Sequence, residues 1–408
     1  MTPLNTRARS FLSKKLSLAL TSTVAASLIF FPLSGCQTAN NSPSNSVAST
    51  SGLVTANSFV SVASTDVTPD RMPVEAVHLV GDSVYVYVRG PEGTRVMNLS
   101  RGLDVRWARV VGSEDDKVRA PVRIGSRVIF PTSVAIEIFD SRGNIERKQK
   151  LPLPITTNVS ATSRGMLLAG VASPTGGRVA FIDPTLTILP IVRDALLGDI
   201  TSRPVEFQDT AYAATVSGKV YAIGENNRAV WPLKDGAFLT DSTISSELVV
   251  DDFGLYVAAG DSKLYVIDRI SGKIKWRYFA QQHLVATPFV TADRVYQITS
   301  DSTLVALDKI EGDPYRKPLW LLSGVRQIVS ADDSNIYVVT GSAAAPVVQA
   351  VDKSTGKVRF SAQRTDFTSF ATNITDSTIY AVTKSGDLLA FRPVLTGAAA
   401  GALVMLDQ

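Results

Sequence analysis

One hairpin pattern recurs along the 408-residue chain and constrains its fold more than any other feature. Its clearest copy is Leu264–Trp276, an alternating strand, a turn between Asp268 and Gly272, and a second strand that ends in tryptophan. Alternating apolar and polar residues are typical of a half-buried strand. The acid and the glycine favour a tight turn, because the first bonds nearby N–H groups and the second adopts positive φ.

Aromatic markers show that this unit is repeated. The strand before the hairpin carries an apolar or aromatic residue about every 42 positions, in eight copies: Tyr85, Ile129, Leu168, Tyr212, Tyr256, Tyr296, Tyr337 and Tyr380. A period of 40–50 residues in strand-rich sequence indicates four-stranded propeller blades. The sequence therefore predicts an all-β chain, folded as an eight-bladed β-propeller of four-stranded antiparallel blades.

A large ring ends the hairpin in five copies of the unit. These rings belong to Trp107, Trp231, Trp276, Trp320 and Phe360. One ring in the same place in each unit is more typical of packing than of a ligand site, since a ligand site would need several rings together. We expect these residues to be wedges between neighbouring blades.

The closing strand of the ring has two candidate sources. The eighth copy shows three obvious strands, ending near Phe391, and a closed ring requires a fourth. It can come from Leu53–Val62, before the first blade, or from Ala402–Leu406, after the last. We favour the N-terminal segment, which is the usual clasp of a propeller.

The N-terminal segment has the features of an export signal. Four basic residues precede an apolar run, Leu16–Phe31, as in a secretory signal peptide. The run ends in Leu33-Ser34-Gly35-Cys36, which resembles the bacterial lipobox and implies lipidation of Cys36; a transmembrane helix with an incidental cysteine is the alternative. Gln37 follows, and by resemblance to enterobacterial lipoproteins it favours the outer membrane.

These features divide the chain into four parts. We assign residues 1–35 to the signal peptide and 36–65 to the lipidated cysteine and a flexible tether, because that segment is rich in Ser, Thr and Asn. Residues 66–395 form the propeller, and 396–408 are a C-terminal tail or a closing strand.

Charge and composition exclude several classes of function. Lys and Arg total 41, four of them in residues 1–35, so the remaining 37 equal the 37 Asp and Glu residues. A neutral mature chain gives no reason to expect a nucleic-acid-binding surface. The single cysteine excludes an intrachain disulfide.

No catalytic or metal-binding constellation stands out in the sequence. The two histidines, His78 and His283, have no metal-ligand spacing, and neither a nucleophile elbow nor a phosphate-binding glycine loop is present. The repeated acids are distributed one to a blade, which is typical of turn residues. We therefore expect no catalytic residues, no bound metal and no cofactor.

The repeat resembles the PQQ-type β-propeller repeat, as in Leu264–Trp276 and in Val351–Lys357. One branch of that family contains quinoprotein dehydrogenases, which hold PQQ and calcium over a vicinal cysteine pair that this chain lacks. The other branch is the BamB family of outer-membrane lipoproteins, which matches in lipobox, tether and eight repeats. That resemblance implies a non-catalytic scaffold that faces the periplasm and assists insertion of outer-membrane β-barrels.

The resemblance also implies a partner and a loop that binds it. BamB-like proteins bind a periplasmic domain of the subunit BamA through loops on one propeller face, one of them with an Asp-x-Asp-x-x-Pro-Val pattern. The corresponding stretch here is Asp199–Val205, in which Thr201 replaces the second acid. The candidate partner-binding residues are Leu196, Leu197, Asp199 and Arg203. A structural lipoprotein of another envelope complex, such as a secretion or conjugation apparatus, is the alternative.

Overall fold

The computed structural model describes residues 58–68, 72–173, 176–185, 191–192, 198–224, 228–233 and 236–394. Within these ranges the chain forms 32 β-strands and no α-helix, which confirms the all-β prediction. It follows that this part of the chain contains no helix long and apolar enough to span a bilayer.

The strands form eight antiparallel sheets of four strands, so the prediction of an eight-bladed propeller is confirmed. Blades 1 to 4 contain β2–β5 (Val74–Val80, Ser83–Gly90, Gly93–Ser100, Val105–Val111), β6–β9 (Val122–Ile124, Arg127–Pro131, Ala135–Phe139, Ile145–Lys150), β10–β13 (Ser160–Ala161, Leu167–Val171, Arg178–Ile182, Ile191–Val192) and β14–β17 (Val205–Phe207, Thr210–Ala214, Lys219–Ile223, Ala237–Leu239). Blades 5 to 8 contain β18–β21 (Val249–Val250, Leu255–Ala258, Lys263–Ile267, Ile274–Phe279), β22–β25 (Phe289–Val290, Arg294–Ile298, Leu304–Asp308, Trp320–Leu322), β26–β29 (Gln327–Ala331, Asn335–Gly341, Pro346–Asp352, Val358–Gln363) and β30–β32 with β1 (Phe367–Ala371, Ile379–Thr383, Asp387–Val394, Ser58–Asp66).

The ring is closed by the N-terminal strand. β1 runs antiparallel to β32, from Ser58 opposite Val394 to Asp66 opposite Asp387, and so becomes the outer strand of blade 8. This confirms the N-terminal clasp; the alternative segment, 402–406, lies outside the described residues. It also corrects the predicted limits of the tether and the propeller, because residues 58–65 belong to the sheet. Phe59 explains the difference, since its ring packs against Phe391 and extends the core.

The strand order gives the disc two distinct faces. The first strands of neighbouring blades contact one another, β6 with β10 and β10 with β14, and therefore surround the axis. One face, here called the loop face, carries the loops between blades and the turns between second and third strands. The other, here called the turn face, carries the remaining turns. Hydrogen bonds confirm the grouping: Val216 N donates to Asp199 O on the loop face, and Arg269 Nη2 donates to Asp252 O on the turn face.

The apolar core lies between the blades. Each hydrophobic cluster combines residues of two neighbouring sheets; Trp276 of blade 5, for example, packs with Leu284 and Val305 of blade 6. The four tryptophans are all buried, with 1–8% of their surface exposed. Burial of so large a ring contributes strongly to stability, because it removes roughly 150–250 Å² from water.

Local turn chemistry explains why the hairpin repeats. The turn acids accept hydrogen bonds from backbone N–H groups two to four residues later, as Asp268 does from Ser271 N at 2.8 Å. The same arrangement is present at Asp140, Asp183, Asp308 and Asp352. The glycine of the turn lies on the tryptophan of the preceding blade: a Cβ on Gly272 would lie 2.7 Å from the Trp231 ring. Only glycine fits there, and its φ is positive.

Candidate partner-binding loop

The structure describes only part of the predicted functional residues. Cys36, Leu196 and Leu197 lie outside the described residues, so lipidation and the apolar half of the predicted loop stay predictions. Asp199 and Arg203 are described, and both lie in the loop that connects blade 3 to blade 4. The four tryptophans and Phe360 lie on the outer strands of blades or just before them.

The loop from Gly198 to Val205 is held firmly on the loop face. Besides the bond from Val216 N to Asp199 O, Thr201 N donates to Ala214 O at 3.2 Å. On the other side the loop contacts blade 3 so closely that a Cβ on Gly177 would lie 2.6 Å from Ile200 N. The backbone is therefore fixed between two blades, and the exposed Asp199 side chain is presented to solvent.

Thr201 stands where the BamB pattern has its second acid, and its hydroxyl is already engaged. Thr201 Oγ1 donates to Ile244 O of the next inter-blade loop at 2.5 Å. In blade 2, Arg119 makes the equivalent link, since its Nη2 donates to Ile155 O at 2.6 Å. Thr201 thus joins two blades, and Asp199 is the acid that the described loop offers to a partner.

Arg203 lies beside the axis, where the innermost strand β14 begins. Its backbone N donates to Glu247 Oε2 at 2.5 Å, and Asn158 Nδ2 donates to Glu247 Oε1 at 3.2 Å. The backbone N of Glu247 in turn donates to Thr287 Oγ1 at 3.2 Å. Glu247 therefore links blades 3, 4, 5 and 6. Sequence reasoning missed this residue, because nothing in the repeat distinguishes it from a loop acid.

Apolar side chains lie exposed on both faces. Val216 and Val285, on the loop face of blades 4 and 6, are 44% and 60% exposed. Ile270, at the tip of the blade 5 turn on the opposite face, is 78% exposed. Single exposed apolar residues are common on protein surfaces. They are accessible to a partner, so each face offers a position at which partner contact can be tested.

Neither histidine lies in a chemically organised site. His78, on the innermost strand of blade 1, stacks edge-on against Tyr87 with ring centroids 4.9 Å apart. Burial lowers the pKa of His78 to about 4, so the ring is neutral near pH 7. His283 is exposed in a loop between blades. In the part of the chain that the structure describes, no group of three or more His, Cys, Asp or Glu residues is arranged to hold a metal ion.

Comparison with known proteins supports the fold and the type of repeat. A family model described as outer membrane protein assembly factor BamB matches residues 217–320, from the blade 4 turn through blades 5 and 6. In structure, the chain is similar to BamB from Moraxella catarrhalis, with a TM-score of 0.59 and 16% sequence identity over 82% of this chain and 98% of that one. The resemblance to BamB is confirmed in repeat and fold. The chain is an eight-bladed β-propeller that is similar to BamB.

The similarity in fold does not by itself fix the function. The computationally designed protein Ika8 matches with the same TM-score, 0.59, at 14% identity over 79% of this chain and 96% of that one. No curated protein matches the chain in sequence. Because one fold supports many functions, the functional conclusion rests on the BamB-like repeats and on the loop face that they build.

Proposed function

We propose that this chain is a non-catalytic scaffold lipoprotein that is anchored to the outer membrane through Cys36 and faces the periplasm. Its loop face binds a protein subunit of the machinery that inserts outer-membrane β-barrels, and the partner is BamA-like. The observation that carries this proposal is the match of residues 217–320 to the BamB family model. The matched blades lie directly beside the Gly198–Val205 loop.

The physical properties of the loop face suit such a role. The loop backbone is fixed before binding, so association does not have to order it, and pre-organisation of this kind favours affinity. The mature chain has no net charge by composition and supplies no long-range steering. Recognition then depends on local groups, which here are the carboxylate of Asp199 and the exposed apolar side chains of Val216 and Val285.

In-cell photo-crosslinking tests whether a BamA-like partner binds and on which face of the propeller it binds. A photoreactive residue replaces Asp199 in one variant of the full-length protein and Ile270, on the turn face, in a matched variant. We expect the Asp199 variant to capture a BamA-like subunit and the Ile270 variant to capture none. Capture from Ile270 alone would assign the partner to the opposite face.

A second candidate is a structural propeller lipoprotein of another envelope complex, such as a secretion or conjugation apparatus. Thr201 favours it, because the second acid of the BamB pattern is absent and the Thr201 hydroxyl is bonded to Ile244 O. The same crosslinking experiment separates the two: subunits of a secretion or conjugation apparatus captured at Asp199, with no barrel-assembly subunit, would establish the second candidate.

A PQQ-dependent dehydrogenase is the enzymatic rival, because its family shares this repeat. We expect the purified protein to bind no PQQ when PQQ and calcium are added together, as measured by quinone absorbance after gel filtration. Stoichiometric retention of the quinone would overturn the non-catalytic assignment.

A further inference from the structure

Blade 1 contains a polar residue where the other seven blades are apolar. Tyr85, Asn98 and Trp107 lie directly opposite one another on the neighbouring strands β3, β4 and β5. Asn98 is thus the residue that pairs with the repeat marker of its blade. The corresponding residues of blades 2 to 8 are Ile138, Phe181, Ala222, Val266, Ala306, Ala350 and Ala390. Asn98 is therefore a departure from the repeat that packing alone does not require.

The Asn98 side chain is almost fully buried and makes no hydrogen bond with any described residue. Only 2% of its surface is exposed. It lines a cavity between blades 1 and 2 that opens towards the turn face. Because the amide is not among the sealed unpaired polar atoms of the described chain, it is reached from this cavity. Asn98 therefore offers an amide donor and an amide acceptor to a group that enters the cavity.

Trp107 has an indole N–H that is also unpaired in the described chain. Trp231, Trp276 and Trp320 each donate Nε1–H to a carbonyl of the next blade at 2.8 Å. The turn that faces Trp107, Asp140–Gly143, is one residue shorter than Asp268–Gly272. It brings its glycine onto the ring, but no carbonyl reaches Trp107 Nε1. The indole N–H adds a second donor to the cavity wall.

The cavity has the size and the charge to take a small anion. Its volume is about 90 Å³, enough for several water molecules or one small polar group. Asp82 accepts hydrogen bonds from two guanidinium groups, Arg123 and Arg106, the latter at 3.2 Å. One carboxylate shared by two arginines leaves one net positive charge.

The other charged groups at this cavity balance one another. Arg127 is paired with Glu146 at 2.5 Å. Asp140 is bonded by the backbone N–H groups of Arg142 and Asn144 at 2.9 and 2.8 Å, and the Arg142 charge acts on it as well. Arg127 is thus engaged by Glu146 and Asp140 by its own turn, whereas Arg106 and Arg123 share the single carboxylate of Asp82.

We propose that the cavity between blades 1 and 2 binds a carboxylate group, with Asn98 Nδ2 and Trp107 Nε1 as its neutral donors and Arg106 as its charged neighbour. Hydrogen bonds from such donors to a carboxylate are charge-assisted, and they are therefore shorter and stronger than bonds between neutral groups. A single net positive charge suits a carboxylate better than a doubly charged phosphate. The carboxylate comes either from a free small acid or from an acidic residue of a bound peptide. The site lies on the turn face, so its test is independent of the proposed loop-face partner.

Nitrogen-15 NMR of the full-length protein in detergent micelles tests this proposal. The four tryptophans give four indole N–H signals. The signal that is missing from the spectrum of the Trp107→Phe variant belongs to Trp107. We expect the Trp107 signal to move saturably when acetate is added, while the other three signals stay in place. Sodium chloride at equal ionic strength should have no effect. No movement with acetate, equal movement with chloride, or tighter binding of inorganic phosphate would overturn the carboxylate assignment.

Two variants show whether Asn98 is responsible. Asn98→Ala should weaken acetate binding at least tenfold, and it should fold because four other blades carry alanine at this position. Asn158→Ala, a matched change in the loop before blade 3, should leave the Trp107 titration unchanged. Unaltered acetate binding by Asn98→Ala would refute the role of the amide. Arg106→Gln provides a second measurement that leaves the Asn98–Trp107 pair intact, and it should also weaken binding at least tenfold.

A peptide titration identifies the source of the carboxylate. A short peptide with one internal aspartate and blocked termini is compared with its asparagine counterpart by the same indole signal. Binding of the aspartate peptide at least tenfold tighter than acetate supports an acidic peptide. Binding no tighter than acetate supports a free small acid. Equal binding of both peptides would contradict a carboxylate site.

Discussion

At the scale of single residues, the aromatic side chains that recur in the repeat occupy positions that their contacts explain. The Trp276 ring is buried against blade 6, and Nε1 donates to Lys309 O at 2.8 Å. On the same ring lies the Arg316 guanidinium, 5.0 Å from the ring centre, which adds a cation–π contact. Burial, a hydrogen bond and a cation–π contact thus all stabilise the Trp276 side chain.

Replacement of Trp276 by alanine should destabilise the protein by roughly 3–5 kcal/mol, because it removes a large buried ring and leaves a cavity. The measurement is the free energy of unfolding in denaturant. Phe279→Ala, on the same strand, is the control: its ring is 59% exposed, and its loss should cost under about 1 kcal/mol. A comparably small loss for Trp276→Ala would contradict the inter-blade role.

A second prediction concerns three equivalent tyrosines. Tyr256 and Tyr337 donate their hydroxyls to an aspartate five residues earlier, and the Tyr256 bonds to Asp251 measure 3.1 Å. In blade 6 that position is Thr291, and the buried Tyr296 hydroxyl has no partner among the described residues.

Tyr296→Phe should therefore leave the free energy of unfolding unchanged or raise it, because it removes an unpaired buried hydroxyl. Tyr256→Phe should lower it by about 1.5–3 kcal/mol, since a hydrogen bond to a charged group is lost. Chemical denaturation of both variants in parallel measures the difference. Equal losses would show that Tyr296 has a partner after all.

At the scale of elements, two features hold neighbouring blades together beyond the apolar core. The first is β1, which pairs with β32 and so joins the first and the last described strands in one sheet. The second is the long turn of blade 6, which reaches the outer strand of blade 5: Arg277 N donates to Pro314 O and Arg316 N donates to Arg277 O, both at 2.8 Å. This turn covers part of an edge that would otherwise be open to other strands.

Phe59 is predicted to be the residue through which the closing strand β1 contributes most to stability. Phe59 lies among Phe360, Phe391 and Tyr337, with ring centroids 4.8, 5.7 and 6.0 Å from its own. Phe59→Ala should lower the free energy of unfolding by about 3–5 kcal/mol. Val62→Ala, on the same strand but 54% exposed, should cost far less. The prediction fails if the two variants unfold at the same denaturant concentration.

At the scale of the whole molecule, the disc separates two kinds of surface. The loop face presents Asp199 next to the exposed Val216, and the turn face opens the cavity that Asn98 lines. The ring separates the two faces, so a partner on one face leaves the other accessible. The loop-face partner and the turn-face carboxylate site are therefore tested by different residues and different readouts.

Attachment of the whole protein to the membrane is predicted to depend on Cys36. Cys36→Ser should leave the protein without lipid and move it from the membrane fraction to the soluble fraction after lysis. Labelling with a fatty-acid analogue, followed by fractionation, measures both effects. Lipid-labelled protein that remains in the membrane despite Cys36→Ser would disprove the lipobox interpretation.

The number of blades, the repeated position of the tryptophans and a preference for the N-terminal segment as the closing strand were all predicted from the sequence alone. These features are local: a period, a turn acid with its glycine, and alternation along a strand. The predicted tether was too long because β1 is rich in small polar residues, which are also typical of flexible segments. The residues of this strand that pack against the core include Phe59 and Ala63.

Only the tertiary structure decided which residues of different strands and blades meet. Asn98 follows its marker by 13 residues, whereas Val266 follows its marker by 10, so turns of different length conceal the shared register. The bond between Asn158 and Glu247 joins residues 89 positions apart across an intervening blade. Such contacts depend on the closure of the ring, which fixes distances that no local pattern contains. The cavity at Asn98 and the link at Glu247 therefore became visible only in the folded molecule.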